Sequence, residues 1–257
     1  MKALILAAGE GKRLAKYTKN LPKGMLEFNG KTLIEWQICR FRKAGIDDIN
    51  IVTGYMKDKI NYPGIKYYHN PNYGITNMVE SMLCAREIMD SEMLITYSDI
   101  LFTDELLNLT STYKGDIGVA VDKSWKEYWA MRYGTTENDL ESLTIKDDKI
   151  VELGKPVASS KGIDYRYIGM IKLSKTGTMK TLKMYENKKA TNESWIQSGK
   201  TFRNGYMTDL LNELILEGNI IQPIVSDGGW LEFDTNDDYE IMLNQIQDGK
   251  ISNKFFE

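Results

Sequence analysis

Short apolar runs alternate with segments of helical length through the first half of the chain, and this alternation constrains the fold more than any other feature. "KALILA" (residues 2–7) is apolar after its lysine, as a strand buried on both faces of a parallel sheet must be. "TLIEWQICRFRKAG" then carries an apolar stripe at Leu33, Trp36, Ile38 and Phe41, with Thr32 and Glu35 as a capping box and Gly45 as its stop. Strand patterns follow at "INIVTGY" (49–55), "IKYYH" (65–69), "MLITYSD" (93–99) and "DIGVAVD" (116–122). Helical patterns fall at "NMVESMLCAREIM" and "TDELLNLTSTY". Strands separated by helices form βαβ units, which build a mostly parallel sheet covered on both faces. The predicted class is a Rossmann-like, three-layer α/β/α fold.

The rhythm changes after Asp122. "LESLTIKDDKIVELG" predicts a hairpin turning at Asp147 and Asp148, and "YIGMIKL" predicts a further strand. "GYMTDLLNELILEG" is a helix stopped by Gly218, "NIIQPIVSDGGWLEFDT" carries two strands, and "NDDYEIMLNQIQ" is a closing helix. Neither a repeat nor a linker divides the chain. One domain over residues 1–257 is expected, with a smaller β-rich subregion inserted at roughly 123–205.

Composition removes several function classes. The net charge is −3, so no basic face for nucleic acid is implied. No apolar run reaches the roughly 18 residues that span a membrane, and the N-terminus opens on a strand rather than a signal-peptide pattern. Cys39 and Cys84 both fall in helical patterns, which predicts reduced core thiols in a cytoplasmic protein. The single histidine, His69, rules out a His-rich zinc site and leaves a Ser-His-Asp triad only a turn-like neighbourhood, "NPNYG". Carboxylates, lysines and arginines must carry the acid–base and metal chemistry. A homodimer stays open, because exposed apolar patches cannot be located before the fold is known.

"LAAGEGKRL" (residues 6–14) follows the first strand, where open α/β sheets bind ligands. A dinucleotide fingerprint needs a third glycine, and Leu14 stands there instead. A P-loop needs Gly-Lys-Ser/Thr, and the order here is Gly-Lys-Arg. A third reading is an anion cradle. Backbone N–H groups from Ala8 to Gly11 would approach a phosphate closely, and Arg13 and Lys23 would add positive charge. The plain alternative is a strand-to-helix turn with a solvated basic face. Downstream, Asp99 ends the strand "MLITYSD" and Asp234 ends "WLEFD". Two carboxylates at matching strand ends suit Mg²⁺, which takes one or two carboxylates plus phosphate oxygens and water. Taken singly, Asp99 would be a turn residue and Asp234 an exposed neighbour of the Thr235 cap.

The stretch "MKALILAAGEGKRLAKYTKNLPKGMLEFNGKTLIEW" resembles the opening of the nucleotidyltransferases that couple a nucleoside triphosphate to a phosphorylated small molecule. Their signature is LAAGxGxRL, a T-x-x-x-P-K segment and a G-K helix start, here Leu6–Leu14, Thr18 with Pro22–Lys23, and Gly30–Lys31. Lys12 departs from the family's Ser or Thr. "GITNMVES", "VELGKP", "YIGMIKL" and "GYMTDLL" look like the CTP-dependent cytidylyltransferases of small phosphate or phosphonate metabolites, of the phosphocholine, 2-aminoethylphosphonate or glutamine phosphate type. The resemblance implies that Leu6, Ala7, Ala8, Gly9, Glu10, Gly11, Lys12, Arg13, Lys23, Asn77, Ser81 and Ser98 bind the nucleotide. It implies catalysis by Lys23, Arg13, Asp99 and Asp234, the two aspartates holding Mg²⁺. Asn77 would also serve as a helix cap with Glu80.

For the acceptor, Trp125, Trp129, Arg132 and Tyr133 cluster in "SWKEYWAMRYGTTENDLESL", with Asp139 and Glu141 nearby. They read either as an aromatic, cationic wall for a small molecule or as a helix face packed on the sheet. By resemblance Lys155 would meet the acceptor's phosphate. The alternatives are a sugar-1-phosphate uridylyl- or thymidylyltransferase and a catalytically silent nucleotide-binding module.

Overall fold

The computed structural model describes all 257 residues. The first half comprises β1 (Lys2–Ala7), α1 (Ala15–Thr18), β2 (Glu27–Phe28), β3 (Lys31–Thr32), α2 (Leu33–Lys43), β4 (Ile49–Thr53), β5 (Lys66–His69), α3 (Met78–Leu83), β6 (Met93–Tyr97), β7 (Ile100–Phe102), α4 (Asp104–Ser111) and β8 (Ile117–Asp122). The second half comprises α5 (Trp125–Tyr133), β9 (Glu141–Lys146), β10 (Lys149–Pro156), β11 (Arg166–Leu173), α6 (Lys175–Thr191), α7 (Met207–Leu216), β12 (Gln222–Ser226), β13 (Trp230–Glu232) and α8 (Asn236–Gln247).

The central sheet runs β12-β8-β11-β6-β1-β4-β5. Every neighbouring pair is parallel except those made by β11, which is antiparallel to both β6 and β8. Alternation along β1 shows why the strand is apolar throughout. Leu4, Leu6 and Ala8 pack with Val79 and Met82 of α3 and Leu210 of α7. Ala3, Ile5 and Ala7 pack on the other face with Ile34 and Phe41 of α2, Leu106 of α4 and Trp129 of α5. The result is the expected three-layer mixed sheet. A third apolar cluster joins Leu14, Phe28 and Trp36 to Phe233, Tyr239 and Met242 around α8.

The predicted hairpin forms as β9–β10, and Asp147 and Asp148 turn it with φ of 48° and 56°. Residues 123–205 leave the sheet with α5 and this hairpin, then return to its centre with β11. Helix α6, 17 residues long, has no counterpart in the sequence patterns. It buries Thr178, Thr181 and the stem of Lys188 alongside Met184 and Tyr185, so an apolar periodicity does not reveal it. The cysteines correct another expectation: Cys39 is exposed on α2 and Cys84 is half-buried after α3, so neither is a core thiol. No helix is long and apolar enough to cross a membrane.

Two local pairings position the site. Strand β1 lies between β4 and β6, so the loops after β1 and β6 meet at the carboxyl edge of the sheet, and Ser98 N donates to Leu6 O at 3.1 Å. The short strands β7 and β13 pair antiparallel, with Ile100 opposite Glu232 and Phe233 N donating to Asp99 O at 3.0 Å. That pairing brings Asp99 beside Asp234, although 135 positions separate them in the chain (234 minus 99).

Candidate active site

The loop after β1 is held from inside. Gly11 has φ +67° and precedes a one-turn helix at Lys12–Leu14. Thr18 Oγ1 donates to Gly11 O at 2.9 Å and to Leu14 O at 3.0 Å, which closes the turn. A Cβ on Gly11 would sit 3.0 Å from the Cβ of Lys23. Gly11→Ala therefore imposes a left-handed strain of about 1–2 kcal/mol and pushes on Lys23. We expect affinity for a nucleoside triphosphate to fall about tenfold, equivalent to about 1.4 kcal/mol, in a calorimetric titration. Unchanged affinity would contradict the loop's role.

The loop opens into a cavity of about 860 Å³. One half is walled by Leu6, Ala8, Gly9, Glu10, Gly11, Lys12 and Arg13, with Lys23, Asn77, Ser81, Ser98 and Asp99. Thus every residue expected at the nucleotide, except Ala7, faces one space. Ala7 points into the core against α2, because it alternates with Leu6 and Ala8. Asn77 also caps α3, its Oδ1 accepting from Met78 N at 2.8 Å, but Glu80 does not complete the cap, because its carboxylate accepts from Tyr185 Oη while Asn77 N donates to Arg203 O.

At the floor, the Lys23 ammonium bridges Asp99 Oδ2 and Asp234 Oδ1, and Arg13 Nη2 lies 3.1 Å from Asp234 Oδ2. Burial works against the Lys23 charge, yet the two carboxylates outweigh it and hold its pKa above the ordinary lysine value. Sequence reasoning misses a third carboxylate here. Glu232 lies two residues before Asp234, on the same side of the strand, and oxygens of Asp99, Glu232 and Asp234 lie within 4.8 Å of one another. The period-two spacing in "EFD" is the signal that would have found it. Burial and the neighbouring Asp234 charge push the Glu232 carboxyl upward. Asp234 is drawn down despite burial by Lys23 and Arg13.

The acceptor expectations fare differently. Of Trp125, Trp129, Arg132, Tyr133, Glu141 and Lys155, only Glu141 lines the cavity. Trp125 and Trp129 are buried in the core between α5 and the sheet, so the aromatic face is a packing face rather than a wall. Tyr133 packs on Trp129 in the same layer, at 5.5 Å between ring centres. Lys155 is exposed, and on its extended strand the flanking Gly154 and Pro156 face the cavity instead. Arg132 is completely buried behind the floor. Its Nη1 donates to Glu232 Oε2 and its Nη2 to Asp238 Oδ2, both at 2.6 Å. The far half of the cavity also uses Arg166 and Tyr97, which the sequence reading did not single out, together with Asp139 and with Tyr167 and Thr208 of the segments "YIGMIKL" and "GYMTDLL".

A nucleotide-sized cavity at the carboxyl edge of a Rossmann-like sheet, with a glycine-rich cationic loop beside paired strand-end aspartates, is the architecture of a nucleotidyltransferase. Residues 3–151 match the MobA-like NTP transferase domain, and the chain belongs to that family. It is 32% identical over 256 residues to the CTP:phosphoglutamine cytidylyltransferase of Campylobacter jejuni, covering 95% of this chain and 100% of that protein. It is 39% identical over 119 residues to the choline-phosphate cytidylyltransferase of Streptococcus pneumoniae, covering 44% of this chain and 52% of that one. The solved CTP:phosphocholine cytidylyltransferase of Streptococcus pneumoniae shares the fold, with a TM-score of 0.73 at 22% identity over 95% of this chain and 98% of that one.

Proposed function

We propose that the chain transfers CMP from CTP to the phosphate or phosphonate of a small metabolite, with release of pyrophosphate. The observation that carries this reading is the shared cavity. Its cationic loop reaches Asp234 through Arg13, Lys23 bridges the paired aspartates, and the same cavity includes a second, polar half. The full-length similarity to the Campylobacter enzyme supports CTP as donor and a non-sugar acceptor.

In this reading an anionic oxygen of the acceptor attacks the α-phosphorus of CTP in line. The bond from that phosphorus to the bridging oxygen breaks, and its electron pair leaves on pyrophosphate. No proton must be removed and no covalent enzyme intermediate forms, so the protein supplies position and charge. Backbone N–H groups of the Gly9–Arg13 loop and the Arg13 guanidinium hold the triphosphate tail. Lys23 lies at the α-phosphate, opposing the negative charge that builds in the transition state. Asn77 spends its oxygen on the helix cap, which leaves its amide nitrogen to donate to the base, with Ser81 beside it.

The floor also fits Mg²⁺. The carboxylate oxygens converge there, and Asp99 Oδ1 is buried with no hydrogen-bond partner. Asp99 and Asp234 would hold the ion, which would screen phosphate charge when bound.

The test is pyrophosphate release with Mg²⁺, crossing CTP, UTP, dTTP, ATP and GTP with phosphocholine, 2-aminoethylphosphonate, glutamine phosphate and glucose-1-phosphate. We expect release with CTP and a non-sugar acceptor. Release with UTP or dTTP and the sugar phosphate would reassign the chain to sugar-1-phosphate transfer. CTP binding without release from any pair would make it a silent nucleotide-binding module.

A further inference from the structure

The far half of the cavity holds charges that nucleotidyl transfer does not use, among them Arg166, Glu141 and the exposed Asp139. Arg166 opens β11, and its guanidinium carbon lies over the buried Trp129 ring, 3.8 Å from the ring centre. Its Nη1 donates to Asp139 O at 2.8 Å, and its Nε is buried with no partner. The fork is therefore fixed in place with donor capacity left over. Its one ion pair, to Asp139 Oδ2, is long at 3.7 Å.

Glu141 opens β9 and lines the same space. Burial pushes its carboxyl upward, and Arg166 pulls against that push without reaching salt-bridge distance. The wall thus presents a fixed cation, the half-buried Glu141 carboxylate that forms no ion pair with it, and the exposed Asp139, loosely paired to it at 3.7 Å.

Three kinds of group can be set against this pair. A second phosphate would suit Arg166 but meet the Glu141 carboxylate. A quaternary ammonium could rest on the Tyr97 or Tyr167 ring, but it has no N–H for Glu141 and leaves the Arg166 fork without a partner. An α-amino-acid head satisfies both, its carboxylate on the guanidinium fork and its ammonium on Glu141. We propose that Arg166 and Glu141 select acceptors that carry a free α-amino-acid head at the end remote from phosphorus. This rests on the cytidylyl-transfer reading of the same site.

The experiment compares kcat/KM for CTP-dependent pyrophosphate release with glutamine phosphate, its α-carboxamide, its N-acetyl derivative and phosphocholine. Removing the acceptor's carboxylate should cost the natural protein about 30-fold, the value of a charge-assisted hydrogen bond pair. In Arg166→Met the same removal should cost under about threefold, because the partner is already gone. N-acetylation should show the matching pattern with Glu141→Gln. The natural protein's own discrimination stands even if a variant folds poorly. Equal kcat/KM for phosphocholine and glutamine phosphate would overturn the clamp and keep the transferase. Absence of CMP transfer to every acceptor would overturn both.

Discussion

Lys23→Ala is expected to lower the rate of CMP transfer by about 10²–10³-fold or more, the usual loss when a charge-stabilising group is removed from a transition state. The structure shows why no neighbour can replace it. Lys23 follows Pro22 in a single helical turn, and the next residue, Gly24, is wedged so tightly that a Cβ would lie 2.6 Å from Ile34 Cδ1. The backbone is thereby fixed, and the ammonium is delivered between Asp99 and Asp234. Arg13 reaches only the far oxygen of Asp234, and its side chain is mostly exposed. The fold should survive the change, since Asp234 keeps Arg13 at 3.1 Å and Arg132 at 3.7 Å. Steady-state kinetics together with a thermal melt separate the two effects. A kcat within threefold of the natural protein would remove Lys23 from the chemistry.

Arg132→Met should unfold the protein more readily than any change at the cavity surface. The guanidinium is fully buried, forks between Glu232 and Asp238, and lies 4.8 Å from the Tyr133 ring centre and 5.0 Å from that of Trp129. Asp238 in turn accepts from Asp234 N at 3.1 Å and Thr235 N at 2.8 Å, so Arg132 ties α5 to the start of α8 and to the site floor. Removing the cation leaves buried carboxylates without their partner, which typically costs about 3–5 kcal/mol. For a domain of this size that corresponds to roughly 6–20 °C in Tm. Differential scanning calorimetry reads it directly. A melting temperature within about 2 °C of the natural protein would mean that the buried pair contributes little.

The two halves of the site differ in how far sequence exposes them. The nucleotide half is largely contiguous: Leu6 ends β1 beside Ala7, Ala8 to Arg13 form the loop and turn after it, and Lys23 follows ten residues on. Its chemistry is therefore spelled out in a motif. Asp99 and Asp234 are also legible, because each ends an apolar strand. Their proximity is not, since it depends on the β7–β13 pairing.

The acceptor half is assembled from single residues on β6, β9, β10 and β11, on the turn before β9 and at the start of α7. Arg166 and Glu141 carry no motif of their own. The aromatic cluster on α5 misleads for a physical reason. Large aromatics beside an arginine look alike in sequence whether they face a ligand or enclose a buried cation, and here they enclose Arg132. The sheet itself is read correctly through β8 because hydrophobic periodicity reports burial. The placement of β11 at its centre, running against its neighbours, depends on long-range pairing that periodicity does not carry.

In the proposed reaction the α-phosphate of CTP passes to a phosphorus-bearing acceptor. Isotope partition tests it most directly: incubate the protein and Mg²⁺ with glutamine phosphate and CTP labelled at either the α- or the γ-phosphorus, and separate the products. CMP transfer places the α-label in a CMP–acceptor conjugate and the γ-label only in pyrophosphate. Label from the α-position that ends in free CMP or CDP, or that stays in CTP with every acceptor supplied, would contradict it.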